Sequence, residues 1–251
     1  MNILSIGNSF SENAHQYLCK IARADEKQPL ATWNLYIGGC SIFTHFQNLH
    51  LDAKAYDLGV NGIQSGLKIS IKQALLAKDW DYITVQQASH FSFKYDTYQP
   101  YLSNIVYCIR ELCPKAKFLI HQTWAYEQGS KKLADVGFEK HTDMFREIAG
   151  CYDKAAREVN AHATIPAGYA MQAMLKLGIP SVHQDTFHAN DIGKFGIALT
   201  WYQALTGRSV KNVDFSHFDF DCEHTAEEIE IAKRASYEAV TKYGFNVKSA
   251  L

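Results

Sequence analysis

Short apolar runs alternate with longer stretches of helical spacing along the whole chain. Asn2 to Ile6 is an apolar run ending at Gly7, which its length and flanks read as a buried strand. His15 to Ala24 places Tyr17, Leu18, Ile21 and Ala22 at helical spacing. Ala31 to Ile37 reads as a second strand, ending at Gly38-Gly39. Asp81 to Gln86, Lys117 to His121 and Ala163 to Pro166 read as three more. Between and after them, helices are expected over Tyr101 to Leu112 (closed by Pro114), Asp143 to Val159, Gly193 to Leu205 and Thr225 to Tyr243. The last opens with Thr225 followed by Glu228, the spacing of a capping box. Asn61-Gly62 lies between Tyr56-Asp57-Leu58 and Leu67-Ile69-Ile71, which predicts the turn of a β-hairpin insertion near residues 55–72.

Strands that alternate with helices imply a mostly parallel sheet covered on both faces. No repeat or low-complexity linker interrupts the pattern, and the five prolines are scattered. The expectation is one α/β domain over residues 1–251. Open sheets of this kind hold ligands at the carboxyl ends of their strands, so the residues just after each strand are where function is sought.

Composition narrows the classes. Of 251 residues, 47% are hydrophobic and 20% charged, enough to build a core. The formal net charge is -1 and no basic run stands out, which argues against nucleic acid as a partner. No apolar stretch approaches the ~20 residues of a membrane helix. Met1-Asn2 runs directly into Ile3-Leu4-Ser5-Ile6 with no basic n-region, so the chain as given reads as cytoplasmic. A chain whose leader had been removed reads the same way, and is then periplasmic or secreted. Cys19, Cys40, Cys108, Cys113, Cys151 and Cys222 lack zinc-type spacing and are expected to be reduced and mostly buried.

Four segments carry candidate chemistry. Gly7-Asn8-Ser9-Phe10-Ser11 follows the first strand. A serine in a tight strand-to-helix turn exposes its hydroxyl and leaves its N–H free near the positive helix end. The competing role for Ser9 or Ser11 is helix capping. Gly38-Gly39-Cys40-Ser41 follows the second strand, where a glycine N–H can point at a developing oxyanion; Cys40 has no indicated base. Gln86-Gln87-Ala88-Ser89-His90 follows the third. A carboxamide can donate to an oxyanion, and side chains alternate along a strand, so one of the two glutamines points inward. Gln184-Asp185-Thr186-Phe187-His188 lies far downstream. An Asp three residues before a His can fix the imidazole's tautomer and leave the other nitrogen to serve as a base. The rival reading of that segment, His183, Asp185 and His188 as metal ligands, ranks below it.

Together these segments resemble the SGNH/GDSL hydrolase superfamily, in chain order. Gly7-Asn8-Ser9-Phe10-Ser11 looks like the nucleophile block, with Asn8 where the family name has Asp. Gly39 looks like the oxyanion glycine, and Asp185 with His188 matches the terminal D-x-x-H block. Gln86 to Ser89 sits where the family has Gly-x-Asn-Asp, and Ala88 falls at the Asn. More narrowly, GNSFS, GGCS, WDYITVQQAS and HQTWAY are similar to a subgroup of SGNH-like proteins common in gut Bacteroidetes. The resemblance implies a flavodoxin-like three-layer α/β/α sandwich on a mostly parallel five-stranded sheet. It also implies ester hydrolysis, with sugar O-acetyl groups a frequent substrate class.

The expected mechanism makes Ser9 the nucleophile, His188 the base and Asp185 its orienting group. Ser9, Gly39 and Gln86 or Gln87 are the oxyanion donors, with no metal and no cofactor. Asn8, His90, Gln122 and Trp124 are the expected substrate-binding residues, with Phe91 and Phe93 as further pocket candidates. Trp124 and Tyr126 suit stacking on a sugar ring and, equally, packing in the core. A carbohydrate-binding protein without activity, and a flavin- or nucleotide-binding one, are the alternatives. The second lacks both GxGxxG and a P-loop.

Overall fold

Burial on both faces of the first strand organises the molecule. The structure is a computed structural model that describes residues 1–26 and 28–244. Strand β1 (Asn2–Gly7) runs parallel to β2 (Ala31–Tyr36) on one side and to β5 (Tyr82–Val85) on the other. Beyond β5 lie β6 (Lys117–His121) and β7 (Ala163–Ile165), also parallel. These are the five strands expected from the sequence. The hairpin β3 (Tyr56–Val60) and β4 (Ile63–Ile69) pairs antiparallel onto β2 and extends the sheet to seven strands, ordered β4-β3-β2-β1-β5-β6-β7. Asn61 and Gly62 take φ of 52° and 83°, as a two-residue type I′ hairpin turn requires.

Helices cover both faces. One core gathers Leu4 and Ile6 with α2 (Ile42–His50), α3 (Ile71–Leu76), α4 (Tyr101–Leu112), α5 (Lys131–Asp135) and α6 (His141–Glu158). The other gathers Ile3 with α1 (Ser9–Asp25), α7 (Ala167–Leu177), α8 (Asp191–Thr206) and α9 (Ala226–Tyr243). The three-layer α/β/α arrangement follows, because a parallel sheet must be shielded on both sides.

Among the boundaries that differ from the sequence reading, two are set by a cap. Helix α1 begins at Ser9, well before His15, because the Asn8 side chain accepts from Phe10 N–H. Ile71 starts a helix instead of continuing the hairpin, because Ser70 and Gln73 form a capping box. The capping box expected at Thr225 and Glu228 is present on α9. All six cysteines are free, with four buried and Cys222 exposed. No described helix is long and apolar enough to cross a membrane.

The hairpin turn gives a direct test. A Cβ on Gly62 would sit 2.9 Å from the His15 carbonyl oxygen, and its φ already disfavours any L side chain. Gly62→Ala is expected to lower stability by at least about 1 kcal/mol. Urea unfolding followed by circular dichroism measures it, and an unchanged midpoint removes the turn from the fold's determinants.

Candidate active site

The carboxyl ends of β1, β2 and β5 converge on Asn8. Its Oδ1 accepts from Phe10 N–H at 3.0 Å and from Gln86 Nε2 at 2.7 Å. Its Nδ2 donates to the Cys40 carbonyl at 3.1 Å. Gln86 Oε1 accepts from His121 Nδ1 at 2.6 Å. Ser9 is thus the first residue of a helix whose cap is bonded to both neighbouring strand ends.

Across the chain, Ser9 Oγ lies 2.8 Å from His188 Nε2. His188 Nδ1 lies 2.6 Å from Asp185 Oδ2, and its backbone N–H donates to Asp185 Oδ1 at 2.8 Å. A carboxylate only accepts, so Nδ1 carries the hydrogen and Nε2 is left to accept from the serine hydroxyl. Burial alone would raise the Asp185 pKa, but the hydrogen bonds from His188 outweigh it and hold the carboxyl below its ordinary value. The loop bends through Thr186, a β-branched residue with φ of 78°. Trp124 Nε1 holds the Phe187 carbonyl at 2.8 Å, and Asn13 Oδ1 holds Ala189 N–H at 3.0 Å.

A cavity of about 470 Å³ opens over this group. Of the residues named from the sequence, Asn8, Ser9, Gly39, His90 and His188 line it. Gly39 has φ of 63° in a turn closed by Cys40 N–H on the Ile37 carbonyl. Among the described residues, the Ser9 and Gly39 N–H groups have no acceptor.

Other expected residues lie elsewhere. Gln87 Oε1 accepts from Ile42 and Ala88 N–H, and its Nε2 donates to Thr97. That carboxamide is spent on loop backbone and does not reach the cavity. Gln86 does not line the cavity either, since it is 2% exposed between Asn8 and His121. Trp124 is fully buried and stacks on Phe10 with ring centroids 4.1 Å apart, so core packing is its role. Gln122 is fully buried and accepts from Tyr169 N–H. Phe91 and Phe93 are also absent from the lining. Cys40 has a histidine beside it, His45 Nδ1 at 3.4 Å, but the thiol is buried and burial pushes its pKa up to about 12. His183 turns its Nε2 to the Ala125 carbonyl at 3.0 Å, and no described group of three or more ligating side chains could hold a metal.

The cavity also takes Tyr126, one of the two aromatic residues read as suited to stacking or to core packing, and Tyr36, Ser89, Lys132 and Phe187, which were not singled out from the sequence. Ser89 and Phe187 stand inside the quoted motifs, so proximity to Gln87 and His188 could have flagged them. Lys132 sits on the short helix α5, where no motif marks it.

Residues 2–239 match the family model described as a domain of unknown function, DUF4886. The chain belongs to the DUF4886 family. A DUF4886 family protein from Bacteroides uniformis ATCC 8492 is 32% identical, over 96% of this chain and 95% of that one, with a TM-score of 0.88. A candidate SGNH hydrolase from Slackia heliotrinireducens is 22% identical over 81% of this chain and 97% of that one, at a TM-score of 0.58. An acetyl xylan esterase from Geobacillus stearothermophilus is 13% identical over 82% and 94%, at 0.57. These two likenesses show that this DUF4886 chain has the SGNH-hydrolase fold. Comparison with curated proteins gives no match.

Three fully buried histidines, His15, His45 and His121, have pKa values lowered by desolvation from 6.5 to about 3. The unfolded chain therefore binds more protons than the folded one between those values. Stability is full above pH 6.5 and falls as pH drops toward 3, by up to about 1.4 kcal/mol per pH unit for each histidine. Urea midpoints between pH 7 and 4.5 are expected to decline steeply, and less steeply in His15→Gln. A flat profile over that range contradicts the assignment.

Proposed function

We propose that this protein is a serine esterase that hydrolyses a small ester, an O-acetyl or related acyl group on a carbohydrate, through an acyl-enzyme on Ser9. The observation that carries the reading is the hydrogen-bonded run Asp185–His188–Ser9, whose Ser9 and His188 line a cavity together with two N–H groups that have no acceptor among the described residues. The acetyl xylan esterase from Geobacillus stearothermophilus, which shares the fold, supports the choice of ester.

In this mechanism Ser9 Oγ attacks the ester carbonyl as His188 Nε2 takes its proton. The Ser9 and Gly39 N–H groups hold the oxyanion. Collapse breaks the carbonyl carbon–alkoxy bond, and His188 returns the proton to the departing alcohol. Water then attacks the acyl-Ser9 ester, giving its proton to His188, and a carboxylic acid leaves as Ser9 is reprotonated. Asp185 keeps the imidazole in the required tautomer and stabilises its charged form. Neither glutamine supplies a third donor, so the oxyanion relies on backbone groups. One such donor is typically worth roughly 100- to 1000-fold in turnover.

The test is p-nitrophenyl acetate hydrolysis by wild type, Ser9→Ala and His188→Ala, with folding confirmed. Each substitution is expected to lower kcat by roughly 10⁴-fold or more. Wild-type turnover that survives Ser9→Ala rejects the mechanism. Absence of turnover together with absence of Ser9 labelling by a fluorophosphonate favours a carbohydrate-binding protein without activity.

A further inference from the structure

We infer that the cavity takes an ester whose alcohol part carries a carboxylate, and that Lys132 is the residue that binds it. This deepens the esterase reading and rests on it.

The charges around the cavity are unevenly matched. Its lining holds one carboxylate, Asp135, and that group is ion-paired with Lys131 at 2.6 Å. Lys132 is half-buried in the same lining, and among the described residues no carboxylate lies within ion-pair distance of it. Its ammonium instead rests 3.6 Å from the Phe187 ring centroid and 5.6 Å from that of Tyr126. An aromatic face stabilises a cation only modestly and leaves its hydrogen-bond donors unused. His90, also in the lining, is held below its ordinary pKa first by burial and then by the charges of Lys132 and Lys94. It therefore adds little positive charge at pH 7, and among the described residues of the lining Lys132 is the cation with no ion-pair partner. A single ammonium matches a single carboxylate.

The position of Lys132 fixes which part of the ester bears that carboxylate. The departing oxygen must lie against His188 Nε2, which protonates it. Phe187 packs against the His188 imidazole, with centroids 3.8 Å apart and the rings tilted by 38°, and carries the Lys132 ammonium on its ring. The alcohol therefore leaves past Phe187 and toward Lys132. Ser9 and Gly39, the oxyanion donors, come from the ends of β1 and β2 instead. A hexuronic acid O-acetylated on its ring has the required form: a neutral acyl group on an alcohol with one carboxylate.

The test compares mono-O-acetylated methyl galacturonoside with mono-O-acetylated methyl galactoside, which differ in carboxylate against hydroxymethyl. Wild type is expected to favour the uronoside in kcat/KM by about tenfold or more, less so as salt is added. Lys132→Gln is expected to bring that ratio near one, Lys132→Arg to keep most of it, and Lys132→Glu to invert it. Equal rates on the two esters in wild type, or a ratio that Lys132→Gln leaves unchanged while both rates fall, overturns the assignment. So does a Lys132-dependent preference for a hemisuccinyl over an acetyl ester of the galactoside, which puts the anion on the acyl side. Calorimetric titration of Ser9→Ala with the same two acetyl esters reads the inference without turnover. Tighter binding of the uronoside that is lost on adding Lys132→Gln supports it, and equal binding overturns it. Failure of the esterase reading is recognised separately, by wild type that neither turns over any ester nor labels at Ser9.

Discussion

The Asn8 carboxamide is the joint on which the site depends. It accepts from the N–H of its own helix and from Gln86, and it donates to the Cys40 carbonyl. Three strand ends that diverge as the sheet twists are thereby held in one arrangement. Those bonds also explain why an amide stands where the GDSL name has a carboxylate. An Asp could accept from Phe10 and Gln86, but its other oxygen would face the Cys40 carbonyl with nothing to donate. The side chain must be an acceptor on one side and a donor on the other, and Asn is the short residue that is both.

Beneath this joint lies an unusually polar layer. Gln86 passes the network to His121, while Thr84 donates to Ser5 Oγ, which in turn bonds His15 Nε2 at 2.8 Å. Among the described residues His15 Nδ1 and His121 Nε2 have no partner, and both rings meet Trp201 edge-on at 5.3 and 4.9 Å. Burying a polar atom without a partner costs about 1–3 kcal/mol, so the layer is held against a penalty by the packing around it. In return, the Ser9 turn rests on groups that cannot rearrange without breaking several hydrogen bonds at once. Preorganisation of this kind lets backbone donors meet developing charge with little reorganisation.

His188 arrives by a different route. Asp185 and His188 sit on a loop, not a strand end, and Thr186 within it occupies a backbone region that costs of order 1–3 kcal/mol. Trp124, stacked under Phe10, and Asn13 on α1 grip that loop from below. Helix α1 thus carries the serine at its first residue and an anchor for the histidine loop one turn later. The cavity between the two is shaped by α5, whose Lys132 reaches the Phe187 ring.

The sequence determined by itself the alternation of strands and helices, the hairpin turn at Asn61-Gly62 and the three residues Ser9, Asp185 and His188 that tertiary structure brings into hydrogen-bond reach. Each is a local matter: a period, a pair of positive φ angles, or a short spacing inside one turn or loop. The bond between Ser9 and His188 spans most of the chain, and the spacing within each motif implied it only once the sheet was assumed. Tertiary structure alone decided the glutamines. Gln86 and Gln87 are adjacent polar residues after the same strand, yet one bridges Asn8 to His121 and the other serves the loop over Thr97. Which partners they find depends on where β6 and the loop near Thr97 pack, and nothing in Gln86-Gln87 encodes that. Trp124 was likewise ambiguous, because an aromatic after a strand can stack on a ligand or on Phe10, and only the depth of α1 over the sheet chooses. Lys132 was invisible for the same reason. A lysine on a five-residue helix has no pattern to betray it, and its meaning comes from the Phe187 ring it meets across the fold.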